Sequence, residues 1–264
     1  ASFVSPNGLV LTNHHCAQRH IVAVDRGGEG LLDDGFQPET SAEERRVPGL
    51  FMDQAVAIDD VTDAMSAAVD AAETDAEREA AFEAAEAAVT ARLLAEYGIT
   101  SPNPDTDDYV VQVVALYDGG KYSAYTFRRY RDVRLAMAPE QALGFFGGDP
   151  DNFTYPRYAA DFALFRIYGD DGQPLDSPEY FPLSAEGVEA GSLVFVIGNP
   201  GSTSRGLTVA ELEFLRDAGL AGTYRFIQTR EAALRAYLAT GMDSDPDVLR
   251  SRIFGLSNSR KAYG

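Results

Sequence analysis

The stretch Gly8-Leu9-Val10-Leu11-Thr12-Asn13-His14-His15-Cys16 decides how the rest of the chain is read. A Pro6-Asn7-Gly8 turn precedes a run of β composition that ends in two histidines. A hairpin over residues 2–11 is therefore predicted to carry His14 and His15 at its outgoing end. An imidazole held by rigid backbone can act as general base for a hydroxyl nucleophile, provided a buried carboxylate fixes its tautomer and stabilises the imidazolium. Consecutive residues of extended chain face opposite ways, so only one of the two rings is expected to point into such a site.

The carboxylate candidate lies far downstream, where Asp161-Phe162-Ala163-Leu164-Phe165 puts an acid at the mouth of an apolar strand. A hairpin ending in His-Cys, followed much later by such an acid, resembles the arrangement in chymotrypsin-like proteases, whose order is His, then Asp, then Ser. That resemblance gives the base position to His15, beside Cys16, and directs His14 elsewhere. No Gly-Asp-Ser-Gly-like or Gly-Asn-Ser-Gly-like segment occurs up to Gly264. Ser202 and Ser204 read as turn residues of Gly201-Ser202-Thr203-Ser204-Arg205. The nucleophile is expected to lie beyond the fragment, which on its own is expected to be inactive.

Outward from these anchors the chain alternates in character. Residues 27–49, rich in Gly, acids and Pro, read as loop before a strand at about 51–58. Residues of about 59–97 are dominated by Ala and Glu, with Phe82, Val89, Leu93 and Tyr97 at helical spacing, and read as a helical hairpin set among strands. A hairpin follows over 109–127 around Asp118-Gly119-Gly120, with further strands at 130–136, 162–168 and 193–197. From Thr208 onward the pattern is helical. The expected fold class is mainly β with helical insertions: a β-barrel region over 1–206, interrupted at about 59–97, and the start of a helical domain over 207–264.

Composition narrows the function. With 22 Lys and Arg against 41 Asp and Glu, the formal net charge is −19, which argues against phosphate backbones and anionic membranes as partners. No apolar run is long enough for a membrane span. Ala1 to Ser5 already reads as strand, so the sequence is expected to begin inside a domain. A zinc site built from His14, His15, Cys16 and His20 is the competing chemistry. Those are all the histidines and cysteines present, in one short stretch, whereas zinc sites draw a second ligand pair from elsewhere. A calcium loop at Asp149-Pro150-Asp151-Asn152 lacks the distal Glu and carries a proline. Neither a metal nor any cofactor is called for.

Three ordered segments together resemble the bacterial dipeptidyl-peptidase VII and XI family: Ala1 to Cys16, Gly147 to Tyr168, and Val196-Ile197-Gly198-Asn199-Pro200-Gly201-Ser202-Thr203-Ser204-Arg205. The resemblance implies a chymotrypsin-like double β-barrel, incomplete here, with an α-helical cap that opens after Thr208. It implies a serine dipeptidyl-peptidase acting on peptides with a free amino terminus, with His15 and Asp161 as catalytic residues. Asn152 takes the position of the asparagine that binds the substrate ammonium group. Phe153 stands where the family often has tryptophan, keeping an aromatic wall but losing an indole N–H. Cys16 resembles a disulfide half whose partner lies upstream. A homodimer and a periplasmic or outer-membrane address are implied in the same way. The alternative within the family is a catalytically inactive relative that binds peptide ends without cutting them.

Overall fold

A computed structural model describes all residues except 145–157, 196–205, 243–244 and 264. The chain divides into two compact units, one formed by 1–48, 134–166 and 174–264, the other by 49–133 and 167–173.

The first unit starts with the predicted hairpin, β1 (Ser2–Phe3) paired antiparallel with β2 (Leu9–Thr12). Gly8 supplies the positive φ of 72° that the turn needs. Buried Ser177 locks that turn, its hydroxyl donating to the Ser5 carbonyl at 2.8 Å and accepting from the Gly8 amide at 3.1 Å. Beyond β2 come α1 (His14–Val24), α2 (Leu31–Asp34) and β3 (Arg45–Arg46). In the second unit, β4 (Met52–Asp60), β5 (Tyr109–Leu116) and β6 (Lys121–Tyr130) form a sheet in the order β4-β6-β5. The chain between its first two strands is the expected helical hairpin, α3 (Thr62–Asp70) and α4 (Asp75–Ala95). Thr74 and Glu77 start α4 with reciprocal side-chain to backbone bonds, which satisfy amides the helix itself leaves open. The apolar stripe of α4 buries Val89 and Leu93 with Met65 and Val61 against Ala124, Val111 and Val113 of the sheet. At the far end of the sheet, Asp53 accepts two 2.8 Å bonds from the Arg129 guanidinium, which lies over the Phe51 ring.

The chain continues through β7 (Asp132–Met137), α5 (Gln141–Gly144) and β8 (Ala163–Tyr168). β8 pairs with β2, giving a five-stranded sheet in the order β1-β2-β8-β7-β3. The pairs β1/β2, β2/β8 and β3/β7 are antiparallel. Val10, Phe165 and Ala163 share one buried face of this sheet, Leu135 of β7 is fully buried, and so are Ala17 and Ile21 of α1. The final segment is helical as read: α6 (Val209–Phe214), a π-helical stretch Leu215–Leu220, α7 (Ala221–Leu238) and α8 (Pro246–Tyr263).

Two sequence expectations need correcting. Helical residues outnumber strand residues among those described, so the fold is mixed α and β with antiparallel sheets rather than mainly β. Neither sheet closes into a barrel among the described residues. The strand expected at 193–197 is absent over its described part. Leu193, Val194 and Phe195 are largely exposed coil, because apolar β composition forms a strand only where a neighbouring edge can pair with it.

Candidate active site

The register of β2 against β8 assembles the site. Thr12 pairs with Ala163, so the residues leaving β2 lie beside those entering β8. Residues 13–15 thereby meet 161–162, although 146 positions separate His15 from Asp161. The sequence past Thr12 then turns into a helix rather than continuing extended. Ala17, Gln18, Ile21 and Val24 recur on one buried face, a helical period that was visible in the sequence but masked by the β reading of the residues before it.

This helix separates the two histidines. His14 is 1% exposed, and its Nε2 lies 3.1 Å from the Pro139 carbonyl. Burial lowers its pKa, so the neutral ring donates Nε2–H to that oxygen. The ring also meets α5, where a Cβ on Gly144 would come within 2.5 Å of His14 Cγ. His14 therefore points away from His15, as expected, but the cause is the angular step of a helix rather than alternation in a strand.

His15 faces Asp161. Its Nδ1 stands 2.8 Å from Asp161 Oδ2, and its backbone N–H donates to Oδ1 at 3.1 Å. The Asn13 side-chain amide donates to Oδ2 and to the Asp161 carbonyl, each at 3.2 Å. Burial pushes the Asp161 carboxyl up, but the hydrogen bonds from His15 and Asn13 outweigh it and leave its pKa below the usual range. An ionised carboxylate on Nδ1 holds the proton on that nitrogen and presents Nε2 as the basic one. The 160–162 segment is anchored in turn, since the Ala160 amide donates to the Leu143 carbonyl at 2.8 Å. A cleft of about 400 Å³ opens on the carboxylate side, bounded by Asn13, Asp161, Phe162, Phe181 and Leu183.

The other nominated residues fall differently. Asn152 and Phe153 lie outside the described residues, as do Ser202 and Ser204. Cys16 is surface-exposed with no second cysteine in this sequence to pair with, and partial desolvation together with the charge of Asp161 raises its thiol pKa, so it is held protonated rather than as a nucleophilic thiolate. The imidazoles diverge, with His20 edge-on to Phe165 at 6.1 Å. Among the described residues no three His, Cys, Asp or Glu converge on a point that could hold a metal ion, and no helix is long and apolar enough to cross a membrane. Asn13, which bonds Asp161, was not nominated from the sequence and carried one signal there: a short polar residue at the start of a helix.

Comparison with known proteins gives a consistent result. The family model described as Peptidase S46 matches residues 1–264. An Asp/Glu-specific dipeptidyl-peptidase of Capnocytophaga gingivalis is 32% identical over 91% of this chain, covering 33% of that protein. One of the same description from Shewanella putrefaciens is 35% identical over 82% of the chain and 30% of its own length. A dipeptidyl-peptidase 7 of Porphyromonas endodontalis is 35% identical over 78% of the chain and 25% of its own length. The crystal structure of Porphyromonas endodontalis DPP11 in complex with the dipeptide Arg-Glu superposes with a TM-score of 0.85 at 25% identity, over 99% of this chain and 38% of that one. The chain thus spans between 25% and 38% of the length of these proteins.

Proposed function

The chain belongs to the peptidase S46 family, and from that premise we propose that the whole protein is a serine-type dipeptidyl-peptidase that releases dipeptides from free amino termini. The observation that carries the proposal is the 2.8 Å contact of His15 Nδ1 with an ionised, triply hydrogen-bonded Asp161. Similarity to proteins named dipeptidyl-peptidases supplies the substrate class.

In this mechanism His15 Nε2 takes the proton from a serine hydroxyl as its oxygen attacks the peptide carbonyl. The resulting imidazolium, stabilised by Asp161, passes that proton to the departing amine. Water deprotonated by the same nitrogen then hydrolyses the acyl-enzyme and regenerates the serine. No Gly-x-Ser-Gly segment lies in 1–264, so the serine is assigned to a part of the protein outside these residues. The two open sheets are read as portions of a chymotrypsin-like double barrel spanning 1–206, and 207–264 as the opening of a helical cap. The lack of any buried residue on α6 accords with a helix awaiting further packing. Asn152 is assigned to the substrate ammonium group and Phe153 to the wall beside it. A homodimer in the periplasm or at the outer membrane completes the proposal.

The test is turnover of dipeptidyl substrates by the full-length protein carrying His15→Ala or Asp161→Asn. Each is expected to lower kcat by about 10³-fold or more with the fold intact. Near-normal turnover in either variant removes that residue from the mechanism. Inactivity of the unsubstituted full-length protein, with peptide binding retained, would instead favour a peptide-binding relative.

A further inference from the structure

Asn13 occupies the amino-terminal boundary of α1 in extended conformation, φ −78° and ψ 148°, where an asparagine side chain ordinarily accepts a hydrogen bond from the first turn. It makes no such bond. The vacant capping role is filled from across the sheet, because Asp161 Oδ1 accepts the backbone N–H of His15 at the second position of the helix. The Asn13 amide is turned to Asp161 instead, 3.2 Å from its carbonyl oxygen and 3.2 Å from Oδ2. Both partners are acceptors, so only the NH2 end of the amide can face them. One side chain thus grips Asp161 at its backbone and at the carboxylate oxygen that bonds His15 Nδ1, restricting rotation about both side-chain torsions between those points.

We propose that Asn13 is a positioning residue of the active site, spending its side chain on the orientation of Asp161, and through it His15, rather than on capping its own helix. The proposal rests on the His15 and Asp161 assignment above. A carboxylate fixed at both oxygens keeps Nδ1 of His15 at bonding distance while Nε2 exchanges its proton. Without Asn13, Oδ2 retains the imidazole contact alone and can swing with it.

The experiment compares Asn13→Ala, Asn13→Asp and Asn13→Gln in the full-length protein, reading kcat, KM and Tm on one dipeptidyl substrate. Positioning by donation predicts that kcat falls about tenfold in Asn13→Ala and further in the isosteric Asn13→Asp, which has no donor and sets a second carboxylate against the first. KM should stay within about twofold, and Asn13→Gln, which keeps an amide donor, should recover part of the loss. A residue that merely filled space would show the reverse order, with Asn13→Asp benign and Asn13→Ala worst. That order, or kcat within about twofold of wild type in Asn13→Asp, overturns the proposal. Asn13→Asp keeps the shape of the side chain, so it stays readable if the alanine variant folds poorly. His15→Ala is run alongside: if it retains turnover the underlying catalytic assignment has failed, whereas its inactivity beside a fully active Asn13→Asp sinks the positioning role alone.

Discussion

Replacing Gly144 by Ala adds one methyl group to α5, and the structure says where it goes. An ideal Cβ would lie 2.5 Å from His14 Cγ, 2.7 Å from Cδ2 and 2.9 Å from Nδ1, all far inside a carbon contact optimum of about 3.5–4.0 Å. The ring cannot swing clear, being 1% exposed and tied through Nε2 to the Pro139 carbonyl. Relief requires α5 and the first turn of α1 to part by about 1 Å, and overpacking of this kind costs about 2 kcal/mol. In a unit of about 150–250 residues that lowers Tm by roughly 4–8 °C, and in the longer full-length protein by less. His15 follows His14 directly, so the same shift opens the 3.1 Å backbone and 2.8 Å ring contacts to Asp161. For the general base proposed above, misplacement by about 1 Å costs about a hundredfold in turnover. Thermal unfolding and kcat of the full-length Gly144→Ala protein measure both effects. Pairing it with His14→Ala supplies the control, since the alanine leaves room for the new methyl and the two stability losses should fall short of additivity by more than about 1 kcal/mol. Additive losses, or an unshifted Tm in Gly144→Ala, would refute the steric coupling of α5 to the site.

The remaining predictions concern buried charge. Glu231 of α7 is 5% exposed and accepts from Ser257 Oγ at 2.7 Å, Arg235 Nε at 2.8 Å and Arg260 Nε at 2.8 Å, so it ties α7 to α8. Glu231→Ala leaves those donors unmatched and should destabilise the helix pair by about 2–3 kcal/mol, at the low end for a broken buried pair because both guanidinium groups reach solvent. Amide hydrogen exchange in α8 should accelerate about thirtyfold or more, and unchanged exchange would show that the network contributes little. The lowered pKa of His14 sets a pH dependence: the folded state keeps the ring neutral through burial, while the unfolded chain takes up a proton near pH 6.5. Stability is therefore full above about pH 6.5 and declines as pH falls below it. His20, lowered by burial and by Arg19, adds a slope of the same sign. His14→Gln should flatten the Tm profile between about pH 5 and 7, and a profile identical to wild type would assign the decline to other groups.

How much of this was legible in advance differs by element. The hairpin over 109–127, the helical hairpin after β4 and the helices after Thr208 follow from local patterns, because turn residues and the 2.0 and 3.6 periods act within a few residues. His15 and Asp161 could be nominated for the same reason, each standing beside an apolar strand with a recognisable cadence. Their meeting could not be read there. It depends on the pairing of Thr12 with Ala163, a register set by which faces of β2 and β8 are buried together. The helix at His14, the burial of one histidine and exposure of the other, and the turning of Asn13 away from its own helix were likewise settled by packing against Pro139, Gly144 and Asp161. Sequence alone determined which groups could do the chemistry, since composition and period are local properties of the chain. Only the tertiary structure decided which of them share hydrogen bonds, because a contact across 146 residues exists only once the strands between have closed.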